Sequence, residues 1–149
     1  MTNELLYIRS LQNKHRWEIG FLPECALQLA IDEDRVRIQT ENNDPCGYLL
    51  HAAGIRGRIL KIYQVVIQID ARNLCHATKL VLEVERRARL RGCLGVSLRC
   101  ALDLDANQFW TALGYKPVGT EPAGLAKGRT IMRYEKLFGP ELPLTLLTI

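Results

Sequence analysis

The sequence predicts a single mixed α/β domain, with an antiparallel first half and a strand–helix–strand unit in the second. Three observations carry this. The chain has 149 residues, 48% hydrophobic and 24% charged, the size and make-up of one soluble domain with its own core. Residues 58–67 (RILKIYQVVI) form a β-branched apolar run, the mark of a central strand. In residues 74–91, Leu74, Ala77, Val81, Val84 and Ala88 recur at spacings of three and four and make one apolar stripe on a helix.

The elements follow in order. Residues 4–9 (ELLYIR) read as a short strand. Residues 10–19 and 23–31 read as two helices divided by the breaker Gly20-Phe21-Leu22-Pro23, with Pro23 at a first helical position, where its missing N–H costs nothing. Residues 35–39 alternate polar and apolar like a half-buried strand. The turn 41–45 and residues 46–50 complete a hairpin. After the central strand and the long helix, Gly92 suits a C-terminal cap and residues 96–99 form a short strand. Asp103 or Asp105 then caps a helix ending at Leu113-Gly114. Residues 115–119 and 129–135 form a last hairpin across a loop containing Gly and Pro. Residues 139–149 are an apolar C-terminal tail, expected to pack on its own domain or on a second copy, so a homodimer is considered. No linker or repeat divides the chain, and residues 1–149 are read as one domain.

Composition excludes several classes. No uncharged apolar run approaches the ~20 residues of a membrane helix. Glu4 stands where a signal peptide carries basic residues. The expectation is a cytoplasmic protein with no membrane partner. The five cysteines, Cys25, Cys46, Cys75, Cys93 and Cys100, are odd in number and lack Cys-x-x-Cys spacing, so neither a disulfide framework nor a metal site is expected. The net charge is +4. Residues 72–91 hold six basic and two acidic side chains, which is the whole excess. Glu83–Arg87 and Glu85–Arg89 stand in the favourable order for helical ion pairs, so on charge alone a solvated face explains the cluster better than an anion site does.

A strand leading into a helix N-terminus is an anion site by construction. The residues at that junction are Ile67-Gln68-Ile69-Asp70-Ala71-Arg72-Asn73-Leu74-Cys75-His76-Ala77. Here the chain resembles the GNAT superfamily of N-acetyltransferases, whose acetyl-CoA motif is Gln/Arg-x-x-Gly-x-Gly/Ala. Arg72 matches the first position and Ala77 the last, and Cys75 replaces the first glycine. The resemblance also covers Asp105-Ala106-Asn107-Gln108-Phe109-Trp110-Thr111-Ala112-Leu113-Gly114-Tyr115, similar to the family's late helix, and the central strand 60–67.

The resemblance implies a mostly antiparallel sheet with helices on both faces and a central strand–helix–strand CoA-binding unit. It implies acetyl-CoA as co-substrate, with the pyrophosphate at Arg72, Asn73, Leu74, Cys75, His76, Ala77 and Thr78. The pantetheine arm pairs with strand backbone at Val66 and Ile67 and bonds Asn107. Phe21-Leu22-Pro23 falls where the family shapes its acceptor site. A cysteine in place of glycine narrows the cradle or resists a positive φ.

Acyl transfer to an amine needs a proton acceptor, a polarised carbonyl and a leaving thiolate. The family's late-helix tyrosine is replaced by Trp110, which has no hydroxyl. Lys61 stands near the position of a family glutamate. Tyr63 and His51 are further candidates, with His15 and His76 behind them, and no residue is assigned as catalytic. The leading reading is an acyltransferase moving an acetyl or similar group from CoA to a primary amine of a small molecule or protein. Lys61 and the other basic residues point to an acceptor that carries an acid. The alternative is a CoA- or anion-binding protein of the same fold without turnover. A nucleic-acid module built on Arg86, Arg87, Arg89 and Arg91 lacks an interleaved aromatic platform.

Overall fold

The computed structural model describes residues 2–72, 74–124 and 128–139. Among these residues five helices and six strands run in the order α1 (Asn3–Lys14), α2 (Arg16–Ile19), α3 (Glu24–Asp32), β1 (Val36–Glu41), β2 (Asp44–His51), β3 (Ile59–Ile67), α4 (His76–Leu90), β4 (Gly95–Ala101), α5 (Ala106–Ala112), β5 (Lys116–Pro122) and β6 (Thr130–Leu137). A single 3-10 turn, Ile69–Ala71, links β3 to the α4 loop. The strands form one sheet in the order β1-β2-β3-β4-β6-β5. Only β3 and β4 are parallel.

Residues 4–9 are helical, not extended. Leu5, Ile8, Leu11 and Gln12 are buried, which is helical spacing, and Thr2 Oγ1 accepts from the Leu5 N–H at 3.2 Å and caps the first turn. The expected single helix over 10–19 is instead the end of α1 and the short α2, broken at His15. Pro23 is the residue before α3, at extended φ and ψ. Leu74 lies in the loop ahead of α4 and is half exposed. Asp105 precedes α5 without a side-chain cap bond, because Asp103 pairs with Arg129 and Asp105 holds helical dihedrals. The β1–β2 turn is tighter than expected. Asn42 and Asn43 take φ of 52° and 70°, the two-residue turn whose twist matches the flanking strands.

Helices cover both faces. Leu5, Ile8 and Leu27 pack on Tyr48, Leu50 and Val66 on one side. Leu80, Val81, Val84 and Trp110 pack on Leu49, Leu60 and Leu98 on the other. A β-bulge divides β3. Leu50 pairs with Gln64 but His51 with Ile62, so Tyr63 is the extra residue. Before it, Leu60 and Ile62 face α4; after it, Val66 joins the core under α1 and α3. Gly47 pairs with Ile67, and a Cβ there would meet the Val66 carbonyl at 2.5 Å. A glycine thus lets β2 close on the end of β3.

No helix among the described residues is long and apolar enough to cross a membrane. No group of three or more His, Cys, Asp or Glu among them could hold a metal ion.

Candidate functional site

β3 and β4 pair only from Ile59–Gly95 to Lys61–Ser97. Beyond that point β4 stays bound to β6 as far as Ala101–Ile131, while β3 follows β2. The bulge at Tyr63 bends β3 away, and the two strands separate. A cleft of ≈ 780 Å³ opens between them, lined by residues 62–67 of β3 and by Leu98, Arg99 and Cys100 of β4. Among the described residues the β3 edge facing β4 has no ladder partner here, so its backbone groups are available to an extended ligand.

At the mouth stands the N-terminus of α4, a 15-residue helix. The backbone N–H groups of His76, Ala77 and Thr78 have no acceptor among the described residues. These are the orphan donors of a first helical turn, and with the helix dipole they favour an anion. Cys75, just before the helix, takes φ 64°. This is the left-handed conformation that favours glycine, adopted here by a cysteine. This chemistry suits an anion. Arg72 Nε donates to the Ile67 carbonyl at 2.9 Å, tying the loop to the end of β3, and Arg72 Nη2 lies 3.8 Å from Glu18.

The structure brings Val66, Ile67, Arg72, Cys75, His76, Ala77 and Thr78 to the cleft wall. Leu74 is exposed on the same loop. Asn73 lies outside the described residues. The ring of His76 does not turn to the cradle. It is buried, its Nδ1 accepts from Gln39 Nε2 at 3.0 Å, and its Nε2 faces Glu41 at 3.7 Å. The amide of Asn107 turns inward too: it donates to the carbonyls of Ala101 (2.9 Å) and Leu104 (2.7 Å). Its Oδ1 accepts from the Tyr134 hydroxyl at 2.7 Å. All three bonds brace the turn from β4 to α5, and both N–H groups of the amide are taken by them.

Among the catalytic candidates, Tyr63 lines the cleft at the bulge and is half exposed. His51 is buried, and its Nδ1 donates to the Ala52 carbonyl at 2.6 Å. Burial holds its pKa down, so it is a neutral core group. Lys61 lies on another part of the surface, a depression shared with Arg99, Glu121, Arg133 and Glu135. Trp110 lines the cleft and is wedged edge-on between Phe109 (4.9 Å) and Tyr115 (5.2 Å). The thiol of Cys100, also in the wall, is pushed up to about 11 by burial, which suits packing rather than nucleophilic attack.

Sequence reasoning missed Glu18. It lines the cleft from α2, and His15 Nδ1 donates to its Oε2 at 2.7 Å. Nothing in Arg16-Trp17-Glu18-Ile19 signals this, because α2 reaches the site only by crossing over β3. A buried polar chain fixes that crossing. Tyr48 OH donates to Gln64 Oε1, Gln64 Nε2 to Gln12 Oε1 (both 2.8 Å), and Gln12 Nε2 to the Leu22 carbonyl at 3.1 Å. Arg129 closes the far side: it stacks on the Trp17 ring at 3.7 Å and donates to the Trp17 carbonyl and to Asp103.

No protein-family model matches the sequence, and no curated protein matches it. Solved structures do match. A GNAT-family protein from Desulfovibrio desulfuricans superposes with a TM-score of 0.72 at 16% identity, over 92% of this chain and 94% of that one. Ard1 from Thermoplasma volcanium gives 0.80 at 14% identity, over 92% and 93%. An aminoglycoside 6'-N-acetyltransferase complexed with coenzyme A gives 0.67 at 18% identity, over 80% and 82%. At such identities these are likenesses of fold: the chain has the fold of the GNAT N-acetyltransferases.

Proposed function

We propose that this chain transfers an acetyl or similar acyl group from CoA to a primary amine. The observation that carries the reading is the separation of β3 from β4 beyond Lys61 and Ser97, which creates a slot with free strand backbone and a helix N-terminus at its mouth. Acyl-CoA, when bound, would supply the thioester and, as leaving group, a thiolate that departs with little help. Residues 72–78 would hold the pyrophosphate, and β3 backbone from 62 to 67 would pair with the pantetheine arm and polarise the carbonyl. The acceptor ammonium gives one proton to Glu18, directly or through water; the neutral amine attacks the carbonyl carbon, the C–S bond breaks, and the second amine proton passes to the departing thiolate.

Glu18, Asp103 and Asp105 line the cleft, and carboxylates there draw an acceptor that arrives as an ammonium ion. Lys61 contributes nothing to this surface, so the expectation of an acid-bearing acceptor loses its main support. The acceptor is a small-molecule or protein amine.

Titration of acetyl-CoA into the purified chain, followed by thiol release over a panel of amines, tests the reading. Binding and release are expected, and Ala77→Glu should abolish both by filling and charging the cradle. In Glu18→Gln the rate should fall ~10²-fold or more with CoA affinity intact. The second reading, a CoA-binding protein without turnover, is favoured by one observation: Trp110 puts an indole in the wall at the family's hydroxyl position. Tight binding with no thiol release from any amine would establish it. No binding of CoA would overturn both.

A further inference from the structure

We infer that His76 tunes the anion affinity of the α4 N-terminus by taking up a proton, so that the pyrophosphate of CoA is held more tightly as pH falls. The inference rests on the CoA reading above and deepens it. His76 is the first residue of α4, and its backbone N–H has no acceptor among the described residues. Its ring lies on the other side of the same residue, 7% exposed and held against β1. Gln39 Nε2 donates to Nδ1 at 3.0 Å. Nε2 has no hydrogen-bond partner among the described residues. The Glu41 carboxylate stands 3.7 Å from it, beyond bonding reach.

A neutral ring leaves a buried nitrogen unbonded beside a carboxylate. A proton on the ring turns that approach into an ion pair, and a half-turn of the Gln39 amide presents Oε1 to the second N–H. The start of a helix is itself positive and opposes a charge on the ring. A bound pyrophosphate cancels that opposition and adds negative charge on the far side of the same residue. Proton and anion therefore promote each other by the same factor, and burial of the ring keeps salt from screening the effect. Other ionisable groups stand nearby. On β2 the Cys46 thiol is pushed up by burial and by the Glu41 and Asp70 carboxylates, so it carries no charge over the range where histidine titrates, about pH 5–8. Arg72 and Cys75 precede the helix, and Lys79 follows one turn on, exposed. Of the other two histidines, His51 is bonded to Ala52 in the core, and His15 meets the cleft through Glu18.

Calorimetric titration of the full chain with dephospho-CoA tests it, because that probe keeps the pyrophosphate and lacks the terminal phosphate that itself titrates. Affinity should rise about ten-fold from pH 8 to pH 5. At pH 7 binding should take up part of a proton, read as a dependence of the heat on the ionisation enthalpy of the buffer. In His76→Gln the rise should shrink to about two-fold or less, while His15→Gln should keep it. Should His76→Gln fail to fold, Glu41→Gln, at a half-exposed position, carries the test: without the carboxylate the rise should move to lower pH. Binding that does not change with pH, or the same rise in a folded His76→Gln, overturns this inference and leaves the CoA reading standing. No binding at either pH overturns both.

Discussion

The Tyr134 hydroxyl donates to Oδ1 of Asn107 at 2.7 Å, while the Asn107 amide holds the carbonyls of Ala101 and Leu104. This ties β6, the end of β4 and the start of α5 at one point. Asn107→Ala removes three bonds and strands two carbonyls, at ~1 kcal/mol per bond. A destabilisation of about 3 kcal/mol in chemical unfolding is expected, with CoA affinity changed less than three-fold in the folded protein. Tyr134→Phe should cost ~1 kcal/mol, and the two losses should not add.

Cys75 at φ 64° carries the strain of a Cβ in left-handed backbone, about 1–2 kcal/mol. Glycine relieves it, and loses ~0.5–1 kcal/mol of that gain to the entropy of its unfolded chain. Cys75→Gly should therefore stabilise the fold by roughly 0.5–1 kcal/mol and bind CoA at least as tightly. Cys75→Val should do the opposite on both counts. Denaturant midpoints and calorimetric titration measure the pair.

Trp110 packs between two rings and is almost fully buried. Trp110→Ala should cost ~3–5 kcal/mol. Trp110→Phe should keep most of any thiol-release rate, since the indole has no proton for sulfur. A large loss of rate in a folded, CoA-binding Phe variant would show that the ring takes part in the chemistry.

Burial lowers the pKa of His51 below its ordinary 6.5. The folded state holds it neutral, so the unfolded state binds the proton more readily. The contribution is fully present above pH 6.5 and is lost as pH falls from there through the lowered folded-state value. Between pH 7 and pH 5 the wild-type melting temperature should fall more than that of His51→Gln. Equal slopes would show that the ring is hydrated in the fold.

Much of the architecture was legible in the sequence. The alternation around Val36, the β-branched run of β3 and the stripe Ala77, Val81, Val84, Ala88 are local patterns, and the structure realises each as the expected strand or helix. The junction of β3 and α4 was legible for the same reason: a strand, a short loop and a helix start are adjacent in the chain. Residues 4–9 were not, because the apolar run Leu5-Leu6-Tyr7-Ile8 is too short to separate period 2 from period 3.6. The signals that decide it, the Thr2 cap and the buried Leu11 and Gln12, flank that run.

What the sequence determined by itself is therefore what each segment becomes, since secondary structure answers to neighbours within a turn or two. Only the tertiary structure decided which polar groups face the cleft. Asn107 is turned inward by Tyr134, 27 residues away. His76 is claimed by Gln39, 37 residues away. Glu18 enters the cleft because Gln12 and Gln64, 52 residues apart, pin the α2–α3 crossing. A buried donor or acceptor must find a partner wherever the fold supplies one. That partner is set by which strands and helices meet, and no spacing along the chain encodes it.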